Sequence, residues 1–149
     1  MSAFGVPIPE SQICIIPDGT AKKDALNALI TAMASNPAIT NAEVFRAAVH
    51  DREARLSTGI GGGIAIPHVR LEEVTESTLG VAIAPKGIDF GAEDQKPVHV
   101  IVLFANPKGG DKEYLKTLAQ VMLSLKNADF FDRLAACDSV EKAGALLNL

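Results

Sequence analysis

Arg52-Glu53-Ala54-Arg55-Leu56-Ser57-Thr58-Gly59-Ile60-Gly61-Gly62-Gly63-Ile64-Ala65-Ile66-Pro67-His68 runs from a basic helix end, through a glycine cluster, into a short apolar strand that stops on a histidine. Pro67 fixes its own φ and pushes Ile66 into an extended shape, so the backbone just ahead of His68 is stiff. The glycines remove side chains that would otherwise shield the ring. A histidine at a strand end beside bare backbone is open to a large partner.

Upstream of this stretch, Thr40-Asn41-Ala42-Glu43 reads as a capping box, with Thr40 as the cap. Val44, Phe45, Ala48 and Val49 then line one face of a helix running to about Arg52 or Glu53. An earlier helix starts near Thr20, with Leu26, Leu29, Ile30 and Met33 at helical spacing, and Asn36-Pro37 ends it. Ile13 to Ile16 form a short apolar run that stops at the turn signal Pro17-Asp18-Gly19. Residues 1–11, with Pro7 and Pro9, are expected to be loosely ordered.

Downstream, Leu79, Val81 and Ile83 alternate with small residues in a strand pattern, punctuated by Pro85-Lys86-Gly87. Val98 to Phe104 is apolar on both faces after His99 and reads as a central strand covered on both sides. The last third is helical. Leu115, Leu118, Met122 and Leu125 mark one stripe behind a cap at Asp111. A short helix follows from Asp129 to Leu134, and a final one is capped by Asp138 with Glu141. Helices at both ends with strands between them predict an α/β fold: a single-domain sandwich over 1–149 with a small mixed β-sheet flanked by helices.

Composition narrows the function. Hydrophobic residues make up 48% of 149, enough for one packed domain. The net charge of −4 argues against nucleic-acid binding. Cys14 and Cys137 belong to no CxxC pair and fit a reduced, cytoplasmic chain. The N-terminal residues lack a signal-peptide pattern, and no apolar run reaches the roughly 20 residues of a membrane helix. Three scattered histidines and two scattered cysteines have no metal-ligand spacing, so no metal and no cofactor is expected.

The glycine cluster is neither of the common phosphate cradles. No Gly-Lys-Ser/Thr follows it, and Ile64 stands where a dinucleotide fingerprint needs its last glycine. Two readings stay open: a flexible turn, or a place where a partner or a phosphoryl group comes close to the backbone. For His68, a neutral imidazole is a competent nucleophile at neutral pH. Arg52, Arg55 and Arg70 lie near it in sequence and offer charge for an anionic group. His99 reads as structural and His50 as exposed. Ser57 lacks a nucleophile elbow, and Asp89, Glu93 and Asp94 read as a solvated loop.

The stretch Arg52-Glu53, Ser57-Thr58-Gly59-Ile60-Gly61 and Gly63-Ile64-Ala65-Ile66-Pro67-His68 closely resembles the phosphorylation motif of enzyme IIA proteins. These belong to the fructose/mannitol type of the bacterial phosphoenolpyruvate-dependent sugar phosphotransferase system, which includes nitrogen-regulatory members. Weaker likeness extends over Gly19 to Lys23, Pro97-Val98 and the Leu115/Leu118 helix. The resemblance implies an α/β sandwich with a mixed sheet. It implies that His68 accepts a phosphoryl group at Nε2 from the histidine-containing phosphocarrier protein, and that Arg52 helps hold that group. The group would then pass to an enzyme IIB, or its presence would act as a signal in sugar uptake or nitrogen regulation. Sugar specificity would lie with partners.

The sequence departs from the family at two points. Tyr114 occupies the position of a second family histidine, and a tyrosine cannot become a cation at neutral pH. Val69 follows His68 where a small residue is common, which would narrow access. Tyr114 keeps a rival reading in view: a regulatory module of the same shape that docks on a transporter or kinase without turnover. A weaker rival is a small-ligand or nucleotide sensor using the glycine loop.

Overall fold

The computed structural model describes residues 2–148. The elements are β1 (Ile13–Ile15), α1 (Lys22–Met33), α2 (Ala42–Arg55), β2 (Gly59–Gly61), β3 (Ile64–Ala65), β4 (His68–Leu71), β5 (Thr78–Ile88), β6 (Val98–Pro107), α3 (Asp111–Lys126), α4 (Ala128–Ala135) and α5 (Val140–Leu147). The strands form one mixed sheet in the order β1-β5-β6-β3-β2, with β4 also paired to β6. β5 and β6 are antiparallel, whereas β1 on β5, and β3 and β4 on β6, are parallel. The α/β sandwich expected from the sequence is the architecture found.

Strand β6 organises both cores. Its side chains alternate between faces. Ile101, Leu103 and Ala105 enter one cluster with Leu26, Leu29, Ile30 and Met33 of α1 and Phe45 and Val49 of α2. Val100, Val102 and Phe104 enter the other, with Val121 and Leu125 of α3, Leu134 of α4 and Leu147 of α5. This is why the run reads as apolar on both faces: helices cover both sides of it.

β3 and β4 are one strand with a break. Ile64 pairs with Val100 and Ala65 with Ile101; beyond the break, His68 pairs with Phe104 and Val69 with Ala105 in the same register. Ile66-Pro67 interrupts the ladder because proline has no N–H to donate. The carbonyl of Pro67 still accepts from the amide of Phe104 at 2.9 Å. Register is therefore kept, and His68 lands on the same sheet face as Phe104, facing α3.

Several local expectations are corrected. The described part of the N-terminal segment is packed rather than loose: Phe4 and Ile8 are buried in the second core, and the Ala3 amide donates to the Leu147 carbonyl at 2.8 Å, while Met1 lies outside the described residues. The cap of α2 is Asn41, whose side chain accepts from Val44 N, while Thr40 donates from its amide and hydroxyl to the Glu73 carbonyl. Pro85-Lys86-Gly87 does not end β5; it marks a register shift between Ile83 and Ile88. Ser139, not Asp138, caps α5, and Asp138 pairs with Lys142 instead.

Candidate functional site

The segment that leads to His68 is built differently from its sequence appearance. Gly61, Gly62 and Gly63 all have positive φ (93°, 66° and 82°) and make the turn between β2 and β3. Asp94 pins this turn, its carboxylate accepting from the Gly62 amide at 3.0 Å. Asp94 is thus more than the solvated loop residue its sequence suggests. Gly59 is required by packing, since a Cβ there would lie 2.7 Å from the Ala92 Cβ and 2.9 Å from its Cα. None of these glycines lines the clefts at His68. Their expected part in unshielding the ring is corrected: they close a hairpin, and the edge position of β4 exposes the histidine.

β4 is paired on one side only, and its free edge looks across to α2. The cleft between them has a volume of about 410 Å³. Its charged lining comes from Asp51, Arg52 and Arg55 of α2 and from Arg70 of β4, with His68 and Val69 beside them. A second, smaller cleft on the α3 side is lined by His68, Arg70, Asp111, Tyr114 and Leu115. His68 is half-buried and reached from both. Val69 is buried against the first core, so its bulk does not cover the ring.

The charges around the ring are held by specific contacts. Arg52 donates through Nη1 to the Leu56 carbonyl at 2.8 Å, which satisfies a carbonyl just past the end of α2. Arg70 pairs with Asp111 at 2.6 Å on the surface. Asp111 was expected to cap α3; instead Gly110 occupies the cap and Asp111 reaches across to β4. Glu53, one residue after Arg52, is buried. Its carboxylate accepts from the Thr58 amide at 2.8 Å, from the Thr58 hydroxyl at 2.6 Å, and from Lys22 Nζ at 2.8 Å. This clamp joins α1, the end of α2 and the start of β2. It was invisible in the sequence because Lys22 lies far from Glu53.

Tyr114 lies on His68. Their ring centroids are 5.1 Å apart at an interplanar angle of 27°, and Tyr114 also meets Phe104 edge-on at 5.0 Å. Burial raises the Tyr114 pKa above its ordinary value, so the phenol is neutral at physiological pH. Burial lowers the pKa of His68, and the nearby Arg52 guanidinium lowers it further. Hydrogen bonding by the Ile66 backbone opposes this, and Arg70 adds a smaller push downward. The imidazole is therefore unprotonated at neutral pH, with a ring-nitrogen lone pair available.

The other histidines are engaged elsewhere. His99 donates from Nδ1 to the Ala84 carbonyl at 3.0 Å, within the sheet. His50 is less exposed than expected: it donates from Nε2 to the Asn27 side-chain oxygen at 2.7 Å, which also receives Arg46. Ser57 donates to the Phe90 carbonyl and serves the turn.

Residues 7–149 match the family described as phosphoenolpyruvate-dependent sugar phosphotransferase system, EIIA 2. The chain belongs to this family. A PTS system fructose-specific EIIA component of Haloferax volcanii is 34% identical over 92 residues, which is 62% of this chain and 60% of that protein. The chain thus spans less than two thirds of the length of that relative. A nitrogen regulatory protein of Escherichia coli is 37% identical over 123 residues, 82% of this chain and 75% of the relative. The crystal structure of nitrogen regulatory protein IIA-Ntr from Neisseria meningitidis superposes with a TM-score of 0.81 at 25% identity, covering 95% of this chain and 96% of that one. Among the described residues, no helix of this EIIA family member is long and apolar enough to cross a membrane.

Proposed function

We propose that this chain is a cytoplasmic phosphocarrier. His68 accepts a phosphoryl group from the phosphohistidine of a histidine-containing phosphocarrier protein. It then passes the group to an enzyme IIB, or signals by its phosphorylation state to a regulatory target. The observation that carries this reading is an unprotonated, half-buried imidazole at a free strand edge, in a cleft that also holds Arg52, Arg55 and Arg70. Membership of the EIIA 2 family and the likeness to fructose-specific and nitrogen-regulatory proteins support it.

In the reaction, a ring-nitrogen lone pair of His68 attacks phosphorus. A new N–P bond forms as the donor's N–P bond breaks, and the donor imidazole keeps the electron pair. Such a transfer needs positioning and charge stabilisation rather than covalent help from the protein. Arg52 and Arg70 supply positive charge for the phosphoryl oxygens. Tyr114 fixes one face of the ring and offers a hydroxyl donor. Leu115, 60% exposed on the rim of the smaller cleft, gives a docking partner apolar surface.

A second reading rests on Tyr114. Where the family carries another histidine, this site has a neutral phenol, which suits a docking module that does not cycle. One experiment separates the two: incubate the protein with phosphoenolpyruvate and the general phosphotransferase components, and look for an acid-labile, base-stable phosphoprotein. Labelling of the wild type, of His50→Ala and of His99→Ala, with none of His68→Ala, is expected. Label retained by His68→Ala overturns the site; no label on the wild type leaves the docking module.

A further inference from the structure

Tyr114 and Phe104 have a second role, as walls of a separate cavity on the side away from the arginine cleft. This cavity has a volume of about 280 Å³ and lies at the end of the sheet, beneath α3 and the N-terminal segment. Asn106 of β6 lines it. The residue is fully buried, yet neither its amide nitrogen nor its carbonyl oxygen has a hydrogen-bond partner. Ser77, which precedes Thr78, the ladder partner of Ala105, lines the cavity beside Asn106 and also carries a buried hydroxyl without a partner among the described residues. Burying such groups unpaired costs about 1–3 kcal/mol each. A site that keeps several of them together around an open volume is arranged for something to fill it.

The chemistry of the lining restricts the occupant. Asn106 offers a donating amide nitrogen with two N–H groups and an accepting oxygen, and Ser77 offers both roles in one hydroxyl. Glu76 and Glu113 add carboxylates, and among the described residues no basic side chain lines the cavity. An anion would be repelled and would leave the Asn106 oxygen unpaired. An ammonium or guanidinium group only donates, so it would leave the Asn106 amide unpaired. An apolar molecule would satisfy nothing. Neighbouring hydroxyls on a carbon chain meet every requirement: they accept from Asn106 Nδ2, donate to its oxygen and to the carboxylates, and lay their C–H faces on Tyr114 and Phe104. One water needs roughly 10–15 Å³ of such volume, so a cavity of about 280 Å³ has room for a molecule of several carbons.

We propose that this cavity is a binding site for a small neutral polyol, separate from the His68 cleft and sharing with it only the Tyr114 ring. Nuclear magnetic resonance titration of the full chain with xylitol and with glucitol tests it, putrescine serving as the cationic control. No phosphotransferase component is added, so the result is independent of the role of His68. Saturable shifts of the Asn106 side-chain amide and the Tyr114 ring are expected, with a dissociation constant on the order of 1 mM. Asn106→Leu, which keeps the size and removes the polar atoms, is expected to weaken binding at least about tenfold. Ser77→Ala, a smaller change at a residue that is not fully buried, carries the test should Asn106→Leu misfold and is expected to weaken binding about threefold. Absence of saturable shifts with either polyol overturns the proposal, as does unchanged affinity in the variants or preferential binding of putrescine.

Discussion

His68 and Tyr114 are stacked, with ring centroids 5.1 Å apart, and the tyrosine also meets Phe104 edge-on. Phe104 is also the residue that pairs with His68 in the sheet. His68, the nucleophile proposed above, is thus held by its strand partner twice, once through the backbone ladder and once through the tyrosine. The ring cannot turn freely, which is what in-line attack on phosphorus requires.

Replacing Tyr114 tests what the phenol contributes. Tyr114→His introduces a group able to become a cation beside the proposed position of the phosphoryl oxygens. A charge-assisted hydrogen bond of about 1 kcal/mol corresponds to about a fivefold faster transfer. Tyr114→Phe keeps the stack and loses only the hydroxyl, so a fall of about fivefold or less is expected. Single-turnover labelling rates measure both. A slower Tyr114→His protein would show that the tyrosine is adapted to a task other than cycling.

The pH dependence follows from the environment of His68. Its pKa is lowered from the ordinary 6.5 by burial and by Arg52 and Arg70. Phosphoryl acceptance needs the unprotonated ring, so the midpoint of the acid limb of the rate profile should lie below 6.5. Arg70→Gln removes one of the opposing charges and should move the midpoint upward. The same shift has a stability consequence. The unfolded chain takes up the proton first, so stability falls as pH drops from the unfolded value toward the folded one. His50, also lowered by burial, adds a slope of the same sign. His68→Gln should flatten the dependence of melting temperature on pH in that window; an unchanged slope would contradict the shift.

Much of this site was legible in sequence because it is local. Arg52, the Ile66-Pro67 stiffening and His68 lie within one short stretch, and period-2 and helical patterns placed the flanking elements. What escaped depends on the register of distant strands. Arg70 meets Asp111 only because β4 lies against β6 and α3 begins just past the end of β6. The partnerless state of Asn106 cannot be read from a strand-end residue without knowing that α3 and the N-terminal segment roof it. The glycines misled for a related reason: composition reveals permissive backbone, but only the Asp94 contact and the β2–β3 pairing tell what that backbone does.

Arg52 and Arg70 should separate in their effects. Arg52 is tied to the Leu56 carbonyl and lines the cleft with His68, so Arg52→Ala should slow phosphoryl transfer by about 100-fold. Loss of its contact past the end of α2 should cost only about 1 kcal/mol of stability. Arg70 is exposed and shared with Asp111, so Arg70→Ala should slow transfer less, by about tenfold. Paired measurements of labelling rate and melting temperature check this. Equal losses in both variants would mean that neither guanidinium has a privileged position.

Glu53 is expected to matter for stability before it matters for chemistry. Its carboxylate takes two hydrogen bonds from Thr58 and an ion pair from Lys22, and Lys22 also sits 4.3 Å over the Phe90 ring. Glu53→Ala leaves the Thr58 amide unpaired beneath the surface and frees the ammonium, for a loss of about 3 kcal/mol. For a chain of this size that lowers the melting temperature by about 6–12 °C. Lys22→Met should cost less, since the lysine is more exposed and the Thr58 bonds remain. Thr58→Val should fall between them, because it removes the hydroxyl while leaving the backbone amide bond to Glu53 in place. If that ranking is reversed, with Lys22→Met the most damaging, the clamp is held by its ion pair and not by the hydrogen bonds that anchor β2 to the end of α2.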